Sequence, residues 1–90
     1  MTSTIANSTA VAKVLFFAKL RDKMGVKEIE IALDQPLPLS QFEGMIAVLY
    51  PQFNELPQPV LVAINQAFAD PTQLVSSGDE VAFFPPVTGG

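Results

Sequence analysis

Residues 11–33 read VAKVLFFAKLRDKMGVKEIEIAL, and this stretch decides the fold class. Its first part, 11–20, alternates as a strand does. Val14, Phe16, Ala18 and Leu20 make one wholly apolar face; Lys13, Leu15, Phe17 and Lys19 make the other. Residues 22–25 then supply a turn, with Gly25 free to take positive φ. Residues 26–33 alternate again, setting Ile29, Ile31 and Leu33 against Glu28, Glu30 and Ala32. A half-buried strand is predicted there, paired with the first as a hairpin across the short gap.

Beyond the hairpin the period changes. Phe42, Met45, Ile46 and Leu49 stand at i, i+3, i+4 and i+7, which predicts a helix over 39–49 with those four side chains inward. Ser40 and Glu43 have the spacing of a capping box, Pro38 is an alternative opening, and Pro51 stops the pattern. A proline-rich loop follows at 51–59 (PQFNELPQP). A short strand is predicted at 60–64, a turn at Asn65 and Gln66, a hairpin arm at 67–69, a turn at 77–79 and a last strand at 80–84. Strands gathered around one helix give an α+β domain, and a leading hairpin with one covering helix is the β-grasp layout.

Composition narrows the chemistry. The chain has 90 residues, 49% of them apolar and 16% charged, enough for one small folded domain. It contains no Cys, no His and no Trp. That excludes a thiol nucleophile, an imidazole base, a disulfide and the usual Cys/His metal sites, and no metal ligands are expected. Net charge is −4, and all five basic residues precede residue 28. The stretch 28–90 carries eight acids and no base, which argues against nucleic acid as a partner. No run approaches the roughly 20 apolar residues of a membrane span, so no membrane partner is expected. Residues 1–10 (MTSTIANSTA) have neither a basic start nor an apolar run and read as a flexible N-terminal arm. A soluble, cytoplasmic chain is the expectation, with its β-grasp domain at 11–84 and a projecting tail at 85–90.

The last residues, Phe83 to Gly90, read FFPPVTGG. Pro85 and Pro86 forbid further sheet pairing and favour a polyproline II path. Six residues at about 3.1 Å each carry the end roughly 19 Å past the sheet. Val87 and Thr88 continue the tail, and Gly89 and Gly90 let backbone enter a channel too narrow for a Cβ. The alternative is a frayed end with no task. As a free carboxylate the terminus is a poor acyl electrophile, and adenylation makes it a good one. With no phosphate-binding loop and no His, the chain is expected to be a carried substrate rather than a catalyst.

Alternation also marks a docking surface. One helix covers one sheet face, so Phe17 lies outside if Phe16 lies inside, and Phe83 and Phe84 divide likewise. Exposed rings beside a projecting tail suggest a partner-binding patch, with Phe68 beyond the turn as a third member. The alternative is that the proline-rich loop or the arm covers them. Arg21 and Asp22 follow the first strand and serve either as a contact to a partner or as a surface ion pair.

Residues 14–25 (VLFFAKLRDKMG), 62–66 (VAINQ) and 77–90 (SGDEVAFFPPVTGG) resemble the small, sulfur-carrying subunit of molybdopterin synthase. The resemblance spans about 12–90 and is vague through 34–59. It implies a ubiquitin-like β-grasp fold: a mixed sheet, one main helix and a flexible C-terminal Gly-Gly tail. It implies that an ATP-dependent activating enzyme adenylates Gly90, that sulfur transfer makes a thiocarboxylate there, and that the tail enters the large subunit. Sulfur then passes to cyclic pyranopterin monophosphate in molybdenum cofactor biosynthesis. No cofactor is bound by the carrier itself; ATP serves the activating enzyme. The resemblance also implies that Phe17, Phe68 and Phe84 belong to the subunit contact. Two other roles share this plan: a thiamine-pathway sulfur carrier and a protein modifier attached to lysines.

Overall fold

The computed structural model describes residues 10–86. Strand β1 (Val11–Phe16) leads into a short helix α1 (Lys19–Met24), then β2 (Glu28–Ala32), β3 (Leu37–Pro38) and the main helix α2 (Leu39–Leu49). A 3₁₀ turn (Pro51–Glu55) is followed by β4 (Leu61–Ile64), β5 (Ala67–Phe68), β6 (Leu74–Val75) and β7 (Glu80–Phe84). Five strands form one mixed sheet in the order β2-β1-β7-β4-β5. β1 and β7 run parallel at its centre, and the other pairs are antiparallel. β3 and β6 make a separate antiparallel pair.

Register explains the core. Ile29, Val14, Val81 and Ile64 are cross-strand partners in one row, and Phe16, Phe83 and Val62 in the next. Both rows are buried on the face that α2 covers with Leu39, Phe42 and Ile46. Phe16 and Phe83 stack at 5.6 Å, and Phe53 of the 3₁₀ turn meets Phe83 edge-on at 5.3 Å. The proline-rich segment therefore closes the core rather than hanging free of it. Offset and edge-on ring pairs of this kind stabilise beyond simple burial, by about 1 kcal/mol each.

The expected hairpin is present, Val14 pairing with Ile29, but its connection differs from the sequence reading. β1 ends at Phe16, and residues expected to continue it turn into α1. Ala18 has φ 53°, which reverses the chain and breaks the alternation. Leu20 and Met24, four apart, then bury one face of a helical turn. Gly25, at φ 79°, ends it by donating its N–H to the Arg21 carbonyl at 2.9 Å.

Two expectations about α2 also change. The Ser40–Glu43 box does not form; Pro38 precedes the first helical residue and no side chain caps it. The freed donors are met from outside, Leu39 N–H by the Gln73 carbonyl at 2.7 Å and Ser40 N–H by the Pro71 carbonyl at 3.0 Å. The buried stripe is Leu39, Phe42 and Ile46, carried on by half-buried Tyr50. Met45 sits at its edge and Leu49 is 60% exposed, so the inward face is turned from the one the spacing suggested.

The turn that caps α2 is itself held by Asp70. Its Oδ1 accepts from the Thr72 hydroxyl at 2.5 Å and from the Thr72 N–H at 2.9 Å. These bonds, the hydroxyl's first, pull the Asp70 carboxyl below its ordinary value. A depressed carboxylate contributes stability above its unfolded pKa and loses it as pH falls through the folded one. Asp70→Ala is therefore expected to lower the melting temperature at neutral pH, with the gap narrowing on acidification to about pH 2. Thermal melts followed by circular dichroism across that range check it. A gap that stays constant with pH would show that the charge plays no part.

Candidate protein-docking site

The sheet face away from α2 is built by the residues between the core positions. Leu15, Ala82, Ala63 and Phe68 are successive cross-strand partners on β1, β7, β4 and β5, so they share that face. Phe84 and Leu61 make the neighbouring row. Just past β1, the Phe17 N–H donates to the Phe83 carbonyl at 3.1 Å, which brings Phe17 beside Phe84. Their rings stack at 4.9 Å and 4° from parallel.

Exposure separates the rings. Phe16 and Phe83 are sealed, whereas Phe17 is 39% and Phe68 77% exposed, with Phe84 between. Ala63 and Ala82 are small enough to be buried in the floor between larger neighbours. The result is an apolar surface with raised aromatic margins on a rigid sheet, the form in which interface anchors occur. Pro85 and Pro86 continue directly from Phe84 and form no strand. The tail residues Val87, Thr88, Gly89 and Gly90, and arm residues 1–9, lie outside the described residues.

Arg21 is exposed on α1 and borders a hollow with Leu15, Phe17, Lys27 and Glu28, so a cationic margin adjoins the apolar face. Among the described residues no ion pair joins Arg21 to Asp22. The pair that forms is Lys13 with Glu28, at 3.9 Å across β1 and β2. Both its partners are well exposed, so it contributes little to stability. Asp79 has the turn role its position suggested. Its Oδ2 accepts from Ser76 N–H at 2.8 Å, and its Oδ1 from Asn65 Nδ2 at 3.0 Å. Asn65 Oδ1 in turn accepts the Glu80 N–H at 3.0 Å. This network fixes the tight β4–β5 turn, where Asn65 and Gln66 both have positive φ, and so sets where Phe68 stands.

The floor residues Leu15, Leu61, Ala63 and Ala82 were not singled out from sequence. Leu15 was available to the same alternation that placed Phe17. Ala82 shares its face with Phe84 by the same alternation, whereas Leu61 and Ala63 required knowing which strands are neighbours. Among the described residues no cluster of acids has the makings of a metal site, and no helix is long and apolar enough to cross a membrane.

A family model described as the ThiS family matches residues 14–90. The molybdopterin synthase sulfur carrier subunit of Escherichia coli strain K12 is 40% identical over 79 residues, covering 87% of this chain and 98% of that relative. A Pyrococcus furiosus structure, a putative molybdopterin converting factor subunit 1, superposes with TM-score 0.74 at 28% identity, over 87% of this chain and 99% of that one. Small archaeal modifier protein 1 of Haloferax volcanii shares the fold at TM-score 0.76 and 22% identity, with the same coverage of each chain. The mixed sheet, the main helix and a sequence match running to Gly90 have one common explanation: the chain belongs to the ThiS family, with its ubiquitin-like fold.

Proposed function

We propose that this chain is the sulfur-carrier subunit of molybdopterin synthase. The observation that carries the reading is the FFPPVTGG end, joined to the Phe17–Phe84 stack on the sheet's outer face, from which it departs. Relatives bearing that subunit's name support it. The chain has no Cys, so a sulfur atom held covalently as cargo goes to the Gly90 carboxylate.

The sequence of events is short. An activating enzyme joins the carboxylate to the AMP part of ATP, releasing pyrophosphate. A sulfide-level donor then displaces AMP and leaves a thiocarboxylate. The aromatic face docks on the large subunit, and the tail delivers its sulfur to cyclic pyranopterin monophosphate; hydrolysis returns the terminus to a carboxylate. This chain's own residues bind and position, with Phe17, Phe68 and Phe84 as anchors, Arg21 at the margin, and Pro85 and Pro86 keeping the tail out of the sheet. The adenylation, the cytoplasmic setting and the large-subunit partner are all part of the proposal.

Intact-protein mass spectrometry tests it. After incubation with ATP, the activating enzyme and a sulfur donor, the expected product has one oxygen replaced by sulfur, mapped to the peptide ending at Gly90. Sulfur at any other position overturns the mechanism. A stable amide to lysines of other proteins would instead identify a modifier, and restoration of thiazole rather than molybdopterin synthesis a thiamine-pathway carrier.

A further inference from the structure

A cavity of about 380 Å³ opens between α2, the 3₁₀ turn and the β4–β5 edge. Its walls include Leu39, Phe53, Val62 and Phe83, all apolar, and two polar side chains reach it, Glu43 and Gln58. Gln58 Nε2 donates to the Leu56 carbonyl at 3.4 Å, so its oxygen remains as an acceptor. Glu43 is half-buried on α2 and has no ion-pair partner among the described residues. No side-chain cation of the chain lies beyond residue 27. Burial without a partner pushes the Glu43 carboxyl above its ordinary value. The site thus combines acceptors with apolar walls, which matches an ammonium or guanidinium group on a hydrocarbon stem.

The cavity also meets the docking face, since Phe68 on the edge strand borders both. We infer that this cavity receives a lysine or arginine side chain of the large subunit that covers the aromatic face, with the Glu43 carboxylate as its counter-ion. The inference rests on the proposed function above and adds a determinant of partner choice to it. The aromatic rings supply contact area, while Glu43 selects a partner with a cation in register. In the free chain the Glu43 charge opposes folding. An acid with a raised folded pKa favours the fold most below the ordinary carboxylate range and loses that contribution as pH rises through the folded value. An incoming cation offsets this cost only in the complex.

Calorimetric titration of the large subunit with wild type, Glu43→Gln and Phe84→Ala tests the idea. Glu43→Gln is expected to raise Kd about tenfold at low salt, and the difference from wild type should shrink as salt is added. The same variant should melt no lower than wild type at neutral pH, because the charge it removes is poorly solvated. As an independent arm, lysines and arginines of the large subunit are changed singly to Met. One of them should reproduce the loss and show no further loss when combined with Glu43→Gln. If Phe84→Ala weakens binding and Glu43→Gln does not, the inference fails and the docking face stands. If neither weakens it, or wild type does not bind, both fail. An early-melting Glu43→Gln with no matching cation on the large subunit also overturns it.

Discussion

Deleting Gly90 is expected to abolish sulfur transfer while leaving the melting temperature unchanged. The two effects separate because the last strand ends at Phe84, and its pairings with β1 and β4 involve nothing beyond that residue. Loss of activity would come from chemistry alone: the carboxylate retreats by one residue, about 3.5 Å, from the position at which it must be activated. Adding one alanine after Gly90 should be as harmful, since it advances the carboxylate by the same distance and places a Cβ at the reactive end. Gly89→Val should be nearly as severe, because a branched side chain stiffens the tail and widens it. Synthase assays with purified large subunit and activating enzyme, paired with melting curves, provide the measurement. Full activity from the Gly90 deletion would remove the terminus from the mechanism.

Ile46→Asp is expected to unfold the protein, and Met45→Asp is not. Ile46 is wholly buried between α2 and the sheet, while its neighbour lies at the edge of the helix stripe beside Leu33 and Leu37. A carboxylate at 46 has no cation and no water, a cost of several kcal/mol against the roughly 5–15 kcal/mol that holds a small domain together. At 45 the same carboxylate turns to solvent, and only partial apolar contact is lost. Circular dichroism and chemical denaturation distinguish the two. A folded Ile46→Asp protein, or a Met45→Asp protein that loses structure equally, would mean that α2 presents a different side.

That pair of substitutions shows where sequence was readable and where it was not. The helix itself was plain from its period and from Pro51, but its rotation was not. Four apolar positions, Phe42, Met45, Ile46 and Leu49, fit one stripe, while Leu39 and Tyr50 extend another equally well. Only the sheet's position chooses between them. The same limit applies to α1. VLFFAKL has no polar residue at an inward position to mark where the strand stops, and the reversal at Ala18 is a backbone event in a residue with no sequence signature for it. Strands β3 and β6, two residues each, are too short for any period to register. The aromatic face was legible because strand alternation is rigid. Once Phe16 is inside, Phe17 and Phe84 have one place to go. The Glu43 cavity was not, since it is assembled from segments 39–43, 53–62 and 68–71 and from Phe83, which no local pattern joins.

The parallel pairing of β1 with β7 has a consequence for how the molecule is made. The last strand is not at the margin of the sheet; it lies between β1 and β4, and without it those two have no pairing with each other. β7 is thus the strand that joins the β1–β2 hairpin to the β4–β5 ribbon. The central contacts join residues 13–16 to 80–83, near opposite ends of the sequence, a topology that folds slowly for its size. Pro85, which follows β7, is anchored to an interior strand of the sheet rather than to an edge. Any enzyme that recognises the assembled sheet therefore meets it only after β7 has been inserted between β1 and β4.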